Sequence, residues 1–505
     1  QPRKMLKENK PKIKVSDEVL EIIQTLEKAG FEAYPVGGCV RDILLGIEPK
    51  DWDITTNAIP QEIQNIFPDS VYENEFGTVG IKIKNSALGK EEKTEIVEVT
   101  TFRIEGRYTD TRHPDEIKFA KTLEEDLSRR DFTINAMALK IKSLKLKVED
   151  EEIIDLFDGQ KDLKNKIVRA VGDPQKRFSE DALRMLRAVR FASQLGFDID
   201  SDTKEAIIRN SSSLKNISKE RIRDEFEKII MSKQASWGIQ ILHSFKLLEY
   251  IMPEFLEGVG VMQNRHHIYS VWEHSLRALD YCASKNYPFK IRMAALLHDV
   301  GKPRTKKGDG PDSTFYQHEY VSAKMTRKIM ENLKFSKEMI EQVVHLVRTH
   351  MFYYNVGDVT ATGVRRFLAR VGPDNVDDIL KVREADRIGS GVPKATPYKI
   401  RHLLFMIEKV KRDPISPKML AIDGNDLMKI LSLKPSPKVG NILNLLLEDV
   451  INDPKLNTRE YLKEKASELN KLDDDQLNKL RKKAEERKEE YEVGVEKEIK
   501  GKFRI

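Results

Sequence analysis

Two aspartates, Asp51 and Asp53, stand shortly after the glycine turn Gly37-Gly38-Cys39-Val40-Arg41-Asp42. On a strand, alternate side chains share a face. A strand over Trp52–Thr55 therefore points both carboxylates the same way, an arrangement like charges avoid unless a cation lies between them. Two such carboxylates can bridge a pair of Mg²⁺ ions about 3.5–4 Å apart, as in-line phosphoryl displacement requires. Glu98, on the later alternating run Glu95-Ile-Val-Glu-Val-Thr-Thr, offers a third carboxylate. The glycine turn follows a strand pattern and opens a helix, so its backbone N–H groups can approach a phosphate closely.

A second group of residues suits recognition of a nucleotide. Arg129 and Arg130 are adjacent cations that can meet a triphosphate or ribose. Further on, Asp181, Arg184, Arg187 and Arg190 recur at steps of three in what reads as one helix from Asp181 to Gln194, closed by Gly196. Steps of three keep Asp181 and Arg184 on one face, where they form either a surface ion pair or a recognition pair. A carboxylate beside a guanidinium matches the amino donor and ring-nitrogen acceptor of both cytosine and adenine. Uracil and guanine present the opposite sense and leave buried groups unpaired. Arg187 and Arg190 are then placed to hold phosphates.

A third group is rich in imidazole. Seven of the ten histidines fall between His266 and His350: His266, His267, His274, His298, His318, His345 and His350. The order His274…His298-Asp299…Asp386 on apolar-rich helices resembles the HD phosphohydrolase superfamily. That resemblance implies His274, His298, Asp299 and Asp386 as ligands of one metal, with His318 and His350 available for a second. Mixed imidazole and carboxylate ligands suit Mn, Fe, Ni or Zn better than Mg²⁺.

The elements that must position these groups are of two kinds. Residues 16–150 mix helical and period-two segments, beginning with a helix over Val15–Ala29; beyond about Asp155 the patterns are helical. The chain has 505 residues, enough for three or four domains, and 88 basic against 82 acidic residues, a net +6 that permits a nucleic-acid partner. Its two cysteines, Cys39 and Cys282, exclude a disulfide scaffold and a four-cysteine zinc site. No apolar run approaches the ~20 residues of a membrane span. The opening Gln-Pro-Arg-Lys-Met leads into no apolar signal segment, so a cytoplasmic protein without a membrane partner is expected.

Taken as a set, Gly-Gly-Cys-Val-Arg-Asp, Asp-Trp-Asp-Ile-Thr-Thr-Asn-Ala, Arg-Arg-Asp-Phe-Thr-Ile-Asn-Ala-Met-Ala, Arg-Phe-Ser-Glu-Asp-Ala-Leu-Arg-Met-Leu-Arg-Ala and Glu220-Arg-Ile-Arg-Asp-Glu-Phe-Glu-Lys resemble the successive motifs of class II tRNA nucleotidyltransferases, the CCA-adding enzyme and bacterial poly(A) polymerase family. The resemblance covers about residues 16–262 and resumes at Ala421-Ile-Asp-Gly-Asn-Asp-Leu-Met. It implies an α+β multidomain chain: a polymerase β-like nucleotidyltransferase head (16–150), then an all-α remainder. That remainder would comprise a nucleotide-selecting neck (151–208), a body (209–262), an inserted HD domain (263–412), a tRNA-binding tail (413–470) and a charged helical extension (471–505). The resemblance further implies that Asp51 and Asp53 bind Mg²⁺ and that Gly38, Arg41, Arg130, Asp181, Arg184, Arg187 and Arg190 bind the incoming CTP or ATP. The acceptor would be the 3′ end of tRNA, gripped at its acceptor stem and elbow.

Rival readings share the head: an A-adding enzyme, a CC-adding enzyme or a poly(A) polymerase. Thr101-Phe-Arg-Ile-Glu-Gly-Arg-Tyr-Thr-Asp-Thr-Arg-His-Pro resembles the family's flexible loop tied to the C-to-A switch, which counts against CC-only addition. From other classes come a metal-dependent phosphohydrolase whose head only recruits RNA, and a silent RNA-binding protein.

Overall fold

The structure, a computed structural model, describes residues 15–72, 77–85, 93–105, 117–141, 151–264, 268–352, 354, 359–391, 398–410 and 413–480. Most of the loop at 101–114, the pair His266-His267 and the end of the charged extension from 481 onward lie outside the described residues. The chain forms two compact units, residues 1–253 with 332–334, and residues 254–331 with 335–505.

The first unit opens with the helix Asp17–Lys28, whose N-terminus is capped by the Ser16 hydroxyl accepting from the Val19 N–H. Val19, Ile22, Ile23 and Leu26 are buried along one face, as their spacing predicts. A five-stranded sheet follows, built from β1 (Ala33–Pro35), β2 (Asp53–Thr56), β3 (Val71–Tyr72), β4 (Thr78–Asn85) and β5 (Lys93–Thr101), in the order β1-β2-β5-β4-β3. β2 runs parallel to β5, while the β1–β2, β5–β4 and β4–β3 pairs are antiparallel. Val79, Ile81, Val97 and Val99 are buried while Ile96 and Glu98 are exposed, so one face of β5 packs inward and the other stays open.

Three sequence expectations need correction here. β2 begins at Asp53, so Asp51 lies at a bend before the strand and the period-two argument does not orient it. The strand Glu151–Asp155 pairs with Met137–Ile141, carrying the head's β structure past residue 150. In the helical stretch that follows, Ile167–Val168 pairs in parallel with Asp198–Ile199, because the Asp198 and Asp200 N–H groups donate to the Lys166 and Val168 carbonyls. The rest of this unit is helical, with Leu183–Leu195, Lys219–Ile230 and Ala235–Ser244 burying Met185, Leu186, Val189, Ile222, Phe226 and Ile239.

The second unit packs the helices Val271–Ser284, Phe289–Leu297, Lys337–Thr349 and Val376–Gly389 around an apolar core. Gly389 permits one close approach: a Cβ there would stand 2.9 Å from the His274 carbonyl oxygen. A separate cluster of Leu427, Ile442, Leu446, Leu462, Ala466 and Leu469 holds the last described helices together. Among the described residues no helix is long and apolar enough to cross a membrane.

Candidate functional site

The carboxylates of the head sit at one edge of the open sheet face. Asp53 is directly paired with Glu98 across the parallel β2–β5 ladder, so both side chains lie on one face. Glu98 is exposed, Asp53 is half-buried and Asp51 is exposed at the preceding bend. Burial raises the Asp53 carboxyl above its usual range, the Arg130 cation opposes that rise, and Asp51 adds to it. A partly buried carboxylate pushed up by its acidic neighbour is suited to a divalent cation, which favours the charged form of both.

The glycine turn abuts this edge. Gly37 has φ 81° and ψ −127°, a conformation side chains rarely adopt. A Cβ on it would lie 2.9 Å from the Arg130 guanidinium and 3.8 Å from Asp53 Oδ2. Gly38 then opens the helix Gly38–Leu44. From that helix Arg41 donates to Asn135 Oδ1 at 2.8 Å and to Asp42.

Arg129 and Arg130 are both anchored by Asp126, a fully buried carboxylate on the helix Leu123–Ser128. Asp126 also accepts from the Thr55 hydroxyl on β2, which ties the arginine pair to the strand that carries Asp53. Burial alone would raise the Asp126 carboxyl; the Arg130 and Arg129 cations override it and hold it below the ordinary range. Asp126→Ala leaves two cations without their buried partner and is expected to cost about 3–5 kcal/mol of stability, measured by urea unfolding. Because the folded carboxyl is the more acidic, its contribution is present above the ordinary carboxylate range. It is lost as pH falls through the lowered folded value. In the sequence, Asp126 is signalled only by its spacing, three and four residues before Arg129 and Arg130.

The selecting segment departs from the single helix expected. The helix Pro174–Glu180 ends at Asp181, which is extended at φ −141° and ψ 106°, and a new helix starts at Leu183. The break has a local cause: Asp181 Oδ1 accepts from the Leu183 N–H at 3.0 Å, a side-chain turn that competes with helix. Asp181 and Arg184 thus flank a helix start and do not pair with each other across one helix face. Asp181 Oδ2 meets Arg221 at 2.7 Å, and Arg184 donates to Glu180 at 2.7 Å and to the Arg129 carbonyl at 3.1 Å.

Arg187 and Arg190 are both engaged by carboxylates. Arg187 meets Asp131 at 2.6 Å, and Arg190 meets Glu225 at 3.2 Å. Burial opposes charge on Arg187, yet Asp131 and Glu225 raise its pKa. On Arg190 burial and the neighbouring Arg187 win, and its pKa falls to about 10, which leaves it charged at neutral pH. The Arg41, Arg187 and Arg190 guanidiniums lie 5.2, 5.4 and 4.3 Å from the Phe191 ring centre. Asp131, Asn135, Glu180, Arg221 and Glu225 all fall inside the motifs quoted above, but residue type alone does not reveal these partnerships.

The second unit brings six of the expected ligands to one buried point. His274, His298 and Asp299 form one group of potential ligand atoms within 4.8 Å of one another, and Asp299, His318 and His350 form another. Asp299 serves both: its Oδ2 faces His274 at 3.2 Å and His298 at 3.1 Å, while its Oδ1 faces His318 at 3.2 Å and His350 at 3.8 Å. Asp386 Oδ1 stands 3.4 Å from His274 and 3.7 Å from His298, completing the first group. His345 is directed elsewhere, to the Val371 carbonyl.

Three of these imidazoles are oriented from behind. The Nδ1 atoms of His298, His318 and His350 lie 2.8, 2.9 and 2.6 Å from the carbonyls of Ala295, Phe315 and Val347. An Nδ1–H donated to each carbonyl leaves the Nε2 lone pairs converging on Asp299, the tautomer a metal ligand needs. Burial disfavours charge on His298, yet Asp299 and Asp386 raise its pKa, so a metal ion held there would displace its Nε2 proton; burial and the neighbouring imidazoles push His350 down. Lys302, itself buried, reaches Asp299 Oδ2 at 2.7 Å and Gln263 at 2.6 Å. The donor set, imidazole nitrogens sharing a carboxylate, fits transition metals.

Comparison with known proteins covers both units. Residues 33–169 match the Poly A polymerase head domain, 196–258 the RNA- and SrmB-binding site of polymerase A, and 314–466 tRNA nucleotidyltransferase domain 2. The chain is 33% identical over 448 residues to a CCA-adding enzyme of Leuconostoc mesenteroides, covering 88% of this chain and 95% of that enzyme. It is 35% identical over 452 residues to one of Lactobacillus helveticus, covering 89% and 96%. Among solved structures it is similar to the Bacillus stearothermophilus CCA-adding enzyme in complex with CTP, with a TM-score of 0.65, 29% identity and coverage of 90% and 97%.

Proposed function

The chain belongs to the CCA-adding enzymes, class II tRNA nucleotidyltransferases, and from that membership we propose that it adds C, C and A to the 3′ end of tRNA from CTP and ATP. It is a transferase, and its family's chemistry depends on a divalent metal. The observation that carries the reading is the pairing of Asp53 with Glu98 beside the Gly37 turn and Arg130.

Asp51 and Asp53 would hold Mg²⁺, with Glu98 as a neighbouring carboxylate. That ion would lower the pKa of the tRNA 3′-hydroxyl and neutralise the triphosphate. The chain's own part is positioning. Gly38 and the turn before it bring backbone N–H groups close to phosphate, and Arg130, braced by Asp126, adds positive charge beside Asp53. Arg41, Arg129, Arg187 and Arg190 would bind the incoming nucleotide, the last two from their carboxylate pairs. No covalent intermediate with the protein is required.

Asp181 and Arg184 would read the base in place of a nucleic-acid template. Arg221 holds the Asp181 carboxylate before a nucleotide enters, and the amino group of cytosine or adenine would take over that acceptor. The experiment is Asp181→Ala with each triphosphate in turn. The kcat/KM for UTP relative to CTP is expected to rise by roughly 10²-fold or more, since a site built to hydrogen-bond a base rejects one it cannot pair. An unchanged ratio would make Asp181 a helix-start residue only.

We assign chemistry to the head (16–150), selection to the neck (151–208), and tRNA contact to the body (209–262) and tail (413–470), with the reaction in the cytoplasm. In the HD segment (263–412), His274, His298, Asp299 and Asp386 would hold one transition metal, Mn, Fe, Ni or Zn, and Asp299, His318 and His350 a second. Such a pair would supply phosphate-ester hydrolysis, with Lys302 holding the Asp299 carboxylate.

A further inference from the structure

The helix Tyr398–Val410 in the second unit carries exposed aromatic rings along one face. Ile400, Leu403 and Val410 are buried, while Tyr398 and Phe405 are 61% and 63% exposed. At 100° per residue, Tyr398, His402, Phe405 and Lys409 fall within about 60° of one another, a straight stripe along the helix. The His402 ring centre lies 6.0 Å from Tyr398, 6.0 Å from Phe405 and 5.9 Å from Tyr354. Tyr354 also shares a hydrogen bond with His402 Nδ1, which fixes that ring in the row. Lys399, Arg401 and Lys409 are exposed on the same helix, against one acidic residue, Glu408.

We infer that this stripe is an RNA-contacting surface on which unpaired bases of the tRNA substrate stack. Large rings left in water at regular spacing cost solubility and gain nothing for the fold. Flanking cations favour an anionic partner with flat faces, and a nucleic acid offers both: bases stack on the rings while Lys and Arg meet the phosphates. A dry protein partner would be met by a surface depleted of lysine. Three rings in line on the helix, with Tyr354 against the middle one, offer faces to unpaired bases and not to the buried stack of a duplex, so the contact is with a loop or an unpaired stretch. This inference rests on the proposed tRNA substrate and adds where, and by which chemistry, part of that substrate is held.

The test uses the full chain, a full-length tRNA lacking its terminal CCA, and a loop-free acceptor-stem duplex. Tyr398→Ala with Phe405→Ala is expected to weaken tRNA binding roughly tenfold or more, leaving the salt dependence of Kd as in the parent. Binding of the loop-free duplex is expected to be unaffected. Arg401→Gln with Lys409→Gln is expected to reduce the slope of log Kd against log salt by about one to two. Tyr398→Phe with Phe405→Tyr keeps the rings and is expected to retain parental affinity, which separates stacking from any loss of fold. If the parent binds tRNA and the folded alanine pair binds it equally well, the inference is overturned while the enzymatic reading stands. The same holds if the alanine pair changes only the sedimentation of the protein, which would make the stripe a self-association face. Failure of the parent itself to bind tRNA would remove the underlying reading instead.

Discussion

Asp53→Ala is expected to reduce nucleotide addition by on the order of 10³-fold or more, the scale seen when one member of a catalytic unit is removed. Of Asp51, Asp53 and Glu98, Asp53 is the least exposed. It starts β2, faces Glu98 across a parallel ladder, and lies beside the position where Gly37 brings the backbone past Arg130. Burial and Asp51 both disfavour its charge, so the ion that would neutralise it also defines its role. Asp53→Asn preserves shape but removes charge and is expected to lose as much activity as alanine. Asp51→Ala is also expected to be severe, since the proposed site needs both carboxylates, although Asp51 is exposed and held by a bend. Single-turnover extension of tRNA measures these losses. Near-parental turnover by a folded Asp53 variant would remove the carboxylate pair from the mechanism.

The second large effect belongs to the imidazole cluster. His298→Ala with Asp299→Ala is expected to abolish tight binding of transition metal. It should also lower any hydrolysis of p-nitrophenyl phosphate by at least about 10²-fold, while tRNA extension persists. Asp299 contributes one oxygen to each group of ligands, so its loss dismantles both positions together. His318→Ala removes a ligand from the second group alone and is expected to leave part of the bound metal. Metal content by mass spectrometry of the purified chain reads this independently of catalysis. Thermal unfolding of each variant shows whether the domain stays folded without its ligands. Loss of tRNA extension in a folded double variant would mean that the two sites act together.

What the sequence made legible depended on whether a residue's position follows from local pattern or from distant packing. The imidazole cluster was legible through a resemblance: the order His274…His298-Asp299…Asp386 is similar to that of the HD phosphohydrolase superfamily, which implies the ligand set. All six expected residues converge. Period-two alternation orients Glu98 and locates the strand of Asp53, but does not reach two residues back to Asp51, which lies at a bend. Helical arithmetic fails at Asp181 for a comparable reason. It assumes a continuous helix, and the Asp181 side chain itself breaks that helix by capping Leu183. The buried carboxylates Asp131 and Glu225 were not readable as partners of Arg187 and Arg190. Those pairs join residues 56 and 35 positions apart, and only tertiary packing decides them.

The claim that this chain completes tRNA ends with C, C and A is tested most directly by extension at single-nucleotide resolution. Three versions of one tRNA, ending at the discriminator base, at the first C and at the second C, are each given CTP, ATP, UTP, GTP or CTP with ATP. CTP alone is expected to extend the first two primers to the second C and then stop. ATP should extend only the third primer, CTP with ATP should complete all three, and UTP and GTP should add nothing appreciable. Extension of the third primer alone, or runs of A beyond a completed end, would contradict that claim.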